Sequence, residues 1–173
     1  MLLFILLDLQ AQETKPAMTE FDKVTIGLGM GMDYGGFGVN LLYYPIENIG
    51  LFGGVGYALA GTGYNAGVKI RIIPGASSRV NLAFLGMYGY NAAIQVQNAK
   101  DYNKLFYGPT LGFGLDTHPA HIKNGYWSFA ILIPVREPGV QEYIDHLKSN
   151  HSVEFKNDLF PFAISIGYRY LLF

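Results

Sequence analysis

No cysteine occurs among the 173 residues, which excludes disulfides, thiolate metal sites and lipid attachment at a cysteine. Charge is scarce as well. Lys, Arg, Asp and Glu make up 14% of the chain, against roughly a quarter in an ordinary soluble domain. The formal net charge of -1 leaves no basic surface for neutralising phosphates, so no nucleic-acid partner is expected. A long hydrophobic run is also missing. Hydrophobic residues are 50% of the chain, yet no stretch reaches the roughly 18 consecutive apolar residues of a spanning helix. The apolar content is dispersed through short segments, as in strands that each turn one face to an apolar medium. The length allows one domain.

What is abundant fits that picture. The chain carries 22 Gly, 13 Tyr and 12 Phe, and its apolar residues alternate with small or polar ones at the period of a strand. Val24, Ile26, Leu28, Met30 and Met32 alternate with Gly27, Gly29 and Gly31 over 23–33. Over 36–44, Phe37, Val39, Leu41 and Tyr43 oppose Gly38 and Asn40. Tyr64, Ala66, Val68, Ile70 and Ile72 oppose Asn65, Gly67, Lys69 and Arg71 over 63–73. Val80, Leu82, Phe84, Tyr88 and Tyr90 share a face in 79–96, and Tyr107, Leu111, Phe113 and Leu115 share one in 105–116. Three further strands are expected at 49–60, 126–135 and 160–173, the first two apolar on both faces. The lengths suit the roughly 9 to 11 residues that a tilted strand needs to cross a bilayer.

The connections supply an independent check. One set holds Pro45-Ile46-Glu47-Asn48, residues 74–78 and residues 117–124, with turn chemistry. The other set holds tight turns at Tyr34-Gly35 and Gly61-Thr62 and longer loops at 97–104 and 136–159. The longest connection, 136–159, thus falls in the second set. Ahead of the strands, residues 1–11 read as a signal-peptide remnant, with an apolar core at Leu2 to Leu7 and Ala11 at the cleavage point. Residues 12–22 read as a linker and 23–173 as the barrel.

The chain closes on Gly167-Tyr168-Arg169-Tyr170-Leu171-Leu172-Phe173. In this strand Phe162, Ile164, Ile166, Tyr168, Tyr170 and Leu172 share one face, and Phe173 falls one residue out of phase. Together with the eight alternating segments, this ending resembles the small OmpA/OmpX-type outer-membrane barrels over nearly the whole chain. The resemblance implies an all-β fold: an eight-stranded antiparallel up-and-down transmembrane β-barrel, with a short helix in the last outer loop. It implies the outer membrane of a Gram-negative bacterium, with outer-membrane lipid and the barrel-insertion machinery as partners. It also makes Tyr168, Tyr170 and Phe173 the membrane-insertion signal.

Several constellations bear on chemistry. Glycines two apart recur, but none forms a G-x-G-x-x-G entering a helix, so they are read as a crowded interior. Lys69, Arg71, Asp116 and Arg169 fall on the non-lipid face with Asn40, Asn65 and Asn91, and are expected to form a paired polar network plugging the lumen. Tyr43, Tyr44, Tyr126, Trp127 and Tyr170 at one end, and Tyr64, Tyr88, Tyr90 and Tyr107 at the other, are expected as two aromatic girdles. His118, His121, His146 and His151 match no nucleophile motif and no H-E-x-x-H. No catalytic residue, metal or cofactor is therefore assigned, although Glu142 and Asp145 stand near two of the histidines.

Residues 138–148 place Val140, Tyr143, Ile144 and Leu147 at i, i+3, i+4 and i+7, an amphipathic helix with Pro138 in its first turn. That stripe either packs over the barrel mouth as a lid or binds another outer-membrane or surface protein. The functional expectation is a non-enzymatic structural or interaction protein working through its outer loops, or an accessory subunit of an outer-membrane complex. Two alternatives stand beside it: an outer-membrane lipid-modifying enzyme, and a soluble lipocalin-like barrel. The latter would place Val24, Ile26 and Leu28 inside and Lys69 and Arg71 in water.

Overall fold

The computed structural model describes residues 23–72, 79–96, 100–118, 124–151 and 159–172. Eight strands close into one antiparallel barrel in sequence order: β1 (Val24–Gly31), β2 (Gly36–Ile46), β3 (Ile49–Tyr57), β4 (Thr62–Arg71), β5 (Val80–Ile94), β6 (Lys104–Thr117), β7 (Gly125–Pro134) and β8 (Ala163–Leu171). Closure is made by β1 and β8, with Ile26 opposite Tyr170 and Met30 opposite Ile166. Among the described residues there is one α-helix, α1 (Pro138–His151), between β7 and β8. It is not long and apolar enough to cross a membrane, which says nothing of crossing by strands.

The two faces of the sheet follow the period of two seen in the sequence. Outward go Leu28, Val39, Leu51, Val68, Phe84, Leu111, Ile131 and Ile164, the last 69% exposed. Inward go Thr25, Asn40, Asn65, Lys69, Asn81, Asp116, Ser128 and Arg169, all buried. A soluble barrel distributes its residues the other way round. The doubly apolar strands resolve in the same sense. Leu51 and Val55 face out and Phe52 in on β3, whereas Ile131 and Ile133 face out and Leu132 in on β7.

The turn at Tyr34-Gly35 is not a simple surface hairpin. β1 stops at Gly31, and a 3-10 turn (Met32–Tyr34) folds into the barrel, where Met32, Asp33 and Tyr34 are buried. Met32 therefore does not extend the outward face of β1. The reversal back into β2 uses Gly35 and Gly36 at φ +71 and +107, values costly for any residue with a Cβ. Three aromatic assignments change with the same logic. Tyr44 and Tyr126 lie inside the barrel, at 4% and 0% exposure, beside residues that do face out. Tyr90 also turns inward, because the β5–β6 pairing shifts between Tyr90 and Ala92 and such a bulge redirects side chains.

β5 and β6 are longer than their neighbours, at 15 and 14 residues. Beyond the pairs Asn65 to Gly89 and Thr110 to Pro134, they continue as a two-stranded extension at the α1 end of the barrel. A lone hairpin is marginally stable, and α1 covers this one. Val140, Ile144 and Leu147 form a core with Ala92, Ile94 and Val96, flanked by Tyr102, Phe106 and Tyr143.

Candidate functional site: the lumen and the cap

The turn 32–34 is built into the barrel end by specific bonds. Asn40 Nδ2 donates to the Asp33 carbonyl, Asn65 Nδ2 to the Met32 carbonyl and Ser165 Oγ to the Asp33 carboxylate. The glycines make room for it. A Cβ on Gly54 would overlap the Asp33 carbonyl oxygen, and one on Gly167 would overlap the Tyr34 ring and hydroxyl. The turn touches β1, β2, β3, β4, β5 and β8, so it closes this end of the lumen as a plug made of the chain itself.

Deeper in the lumen lies the ionic layer. Lys69 Nζ sits 2.7 Å from Asp116 Oδ1, and Ser128 Oγ donates to the same oxygen at 2.7 Å. Lys69 Nζ also lies 3.4 Å from Ser128 Oγ. Arg71 stacks over the Tyr44 ring at 3.7 Å, and Arg169 lies 5.5 Å from the centre of the Tyr34 ring. All four charged residues singled out in the sequence, Lys69, Arg71, Asp116 and Arg169, are thus inside the barrel at 2% exposure or less. Only the first and third of them form an ion pair with each other. The arginines rest on aromatic faces, a contact that suits guanidinium.

At the end of the barrel where β1 starts and β8 ends, Tyr168 and Tyr170 belong to the outward face, with Trp127 and Tyr168 rings 5.4 Å apart. Phe173, the third member of that set, lies outside the described residues. The stripe Val140, Tyr143, Ile144 and Leu147 is turned onto the β5–β6 extension, and Tyr143 Oη donates to the Tyr102 carbonyl at 2.8 Å. Lys104 Nζ lies over the rings of both Phe106 and Tyr143. What the helix presents outward is Gln141, Glu142, Asp145, His146 and Lys148, all exposed. Beside its first turn is a groove of about 480 Å³ with Arg136 and Glu137 at its edge and Val140, Ile144 and Leu159 along it.

The histidines do not converge. His118 stacks on Tyr126 at 4.5 Å near the terminal end of the barrel, and His146 is on the exposed side of α1. His121 and the side chain of His151 lie outside the described residues. Among the described residues no three His, Asp or Glu side chains are grouped to hold a metal ion.

The lumen contains residues that pattern alone did not single out: Asp33, Tyr34, Ser128 and Ser165. A signal for Tyr34 was present, since Gly27, Gly29 and Gly31 line one face of β1 immediately before it. No protein-family model matches the chain, and neither curated proteins nor solved structures yield a match to it. The functional reading therefore stands on the barrel's own geometry.

Proposed function

We propose that this chain spans the outer membrane of a Gram-negative bacterium as an eight-stranded barrel. Its role is non-enzymatic: a structural or interaction protein acting through the capped end, or an accessory subunit of a membrane complex. The observation that carries the proposal is the inversion of polarity across the wall. Side chains such as Phe84, Leu111 and Ile164 form a continuous apolar exterior, while Lys69, Arg71, Asp116 and Arg169 are buried inside. An exterior of that kind has no favourable partner in water but matches the hydrocarbon of a bilayer. A lipocalin-like ligand carrier would need the reverse arrangement at Ile26 and Leu28.

The lumen supports a sealed barrel rather than a transport channel, since the 32–34 turn and the Lys69–Asp116 pair occupy it. This leaves the surfaces as the working parts. The longest connections and α1 share one end, and barrels of this class carry long loops on the extracellular side. A partner reaching the cap meets the polar outward face of α1 and the neighbouring groove, because the apolar stripe is already covered by the chain. The direct test is substitution of Val68, Phe84, Leu111 and Ile164 by Arg, one at a time, with unfolding measured from phospholipid vesicles. Each is expected to lose about 2–4 kcal/mol near mid-bilayer. Neutral results at all four positions would end the membrane-spanning proposal.

A further inference from the structure

At the capped end of the barrel, Arg136 has no acceptor among the described residues. It is partly buried, its Nε is enclosed without a hydrogen-bond partner, and no carboxylate of the described residues pairs with it. Burial lowers its pKa from the usual arginine value, and no neighbouring charge offsets that effect. A guanidinium that has lost water on one side and gained no acceptor is unfavourable. Glu137, next in the chain, is exposed, and no acidic side chain stands in the first turn of α1.

The groove that Arg136 borders has the dimensions of a binding site. Its volume of about 480 Å³ falls within the roughly 300–1,000 Å³ of small-molecule sites. A bare ion would fill little of it, because Val140, Ile144 and Leu159 line the rest with apolar surface. The matching ligand is an amphiphile, anionic at one end and apolar at the other. The position of the groove says where such a molecule comes from. Arg136 directly follows Val135 and Leu159 directly precedes Phe160, and both Val135 and Phe160 are exposed. Val135 is still joined to the wall, its N–H donating to the Pro109 carbonyl at 2.9 Å. The rings of Phe160 and Phe162, 6.3 Å apart, lead down to the outward face of β8. The groove therefore opens at the rim of the apolar exterior, where β7 and β8 leave it.

We propose that this groove seats the phosphate headgroup of a lipid from the surrounding leaflet, with Arg136 on the phosphate and Val140, Ile144 and Leu159 against the start of its acyl chains. Arginine suits the role because its planar fork binds phosphate oxygens in pairs. The proposal rests on the membrane-spanning reading, since lipid reaches the rim only from a bilayer around the wall.

The test uses the full chain, labelled with nitrogen-15 and folded in micelles of an uncharged detergent. Amide resonances of Gly139, Val140 and Gln141 are followed during titration with dihexanoyl phosphatidic acid, with dihexanoylglycerol as its uncharged match, and with inorganic phosphate. Saturable shifts confined to the groove are expected with the phosphate lipid, and none with the other two at the same concentration. Arg136→Gln is expected to weaken saturation by about tenfold or more, as loss of a charge-assisted contact does. Equal shifts with inorganic phosphate would make this a site for the free anion, and equal shifts with dihexanoylglycerol a purely apolar pocket. Either result overturns the proposal, as do shifts spread evenly around the barrel or binding that survives in Arg136→Gln. Should Arg136→Gln not fold, Gln141→Glu sets a carboxylate in the same groove with Arg136 kept, and the same weakening is expected. A silent groove in a protein whose wall substitutions Val68→Arg and Leu111→Arg still cost stability in vesicles would overturn the lipid site alone and leave the membrane-spanning reading intact.

Discussion

Lys69 and Asp116 are each buried almost completely and each depends on the other. Removing one partner strands a charge in the lumen, whereas removing both leaves an apolar gap that packing can partly fill. Lys69→Met and Asp116→Asn are therefore each expected to destabilise the barrel by about 3–5 kcal/mol, and the double variant by clearly less than the sum. Urea unfolding from vesicles reads all three, and additive losses would mean that the 2.7 Å pair contributes no coupling. Gly54 makes a different demand, steric rather than electrostatic. Valine at that position would strike the Asp33 carbonyl oxygen, so the 32–34 turn must shift or leave the lumen. A loss of about 1–3 kcal/mol is expected for such overpacking. Unchanged stability would show that the turn is not held where Asn40, Asn65 and Ser165 place it.

Among the elements, α1 and the β5–β6 extension depend on each other more than on the barrel. Replacing residues 136–159 by a short Gly/Ser linker is expected to leave the eight strands paired, because every strand keeps both of its neighbours and long surface loops contribute little to closure. Failure of that variant to fold would make the segment a structural part of the barrel. Leu147→Asp is a milder probe. It places a charge in the core shared with Ala92, Ile94 and Val96, and should release α1. Limited proteolysis is then expected to cut within 136–159 while heat-modifiable gel mobility of the barrel is kept. Helix and strands alike were legible from periodicity, since alternation is strict where one face is apolar and the other is Gly, Asn or charged. What periodicity could not show was the inward fold of 32–34. Met32 continues the alternation of β1, and Tyr34-Gly35 reads locally as an ordinary turn, yet the decisive contacts are with β2, β3, β4 and β8. The same limit explains Tyr44, Tyr90 and Tyr126. An aromatic near a strand end has equal sequence credentials for girdle and lumen, and only the register, or the shift at Tyr90, decides between them.

For the whole molecule, polarity is arranged from the outside in: an apolar wall, a layer of glycine and asparagine, then charges paired or stacked on aromatic rings. The four predicted interior charges were legible because each lies in phase with small or polar residues on its strand. Their pairing was not, because Lys69 and Asp116 are far apart in sequence and meet only when the barrel closes. The absence of cysteine makes the decisive measurement clean, since any introduced cysteine is the sole labelling site. Spin labels are placed one at a time at Leu82, Ala83, Phe84 and Leu85 on β5 in protein reconstituted into phospholipid vesicles, and their collision rates with dissolved oxygen and with a water-soluble nickel complex are measured. A barrel spanning the bilayer gives labels at 82 and 84 that collide with oxygen and are shielded from nickel, and labels at 83 and 85 that are shielded from both. Nickel collisions at 82 and 84 as frequent as in free solution would place the apolar wall in water and contradict the membrane-spanning barrel.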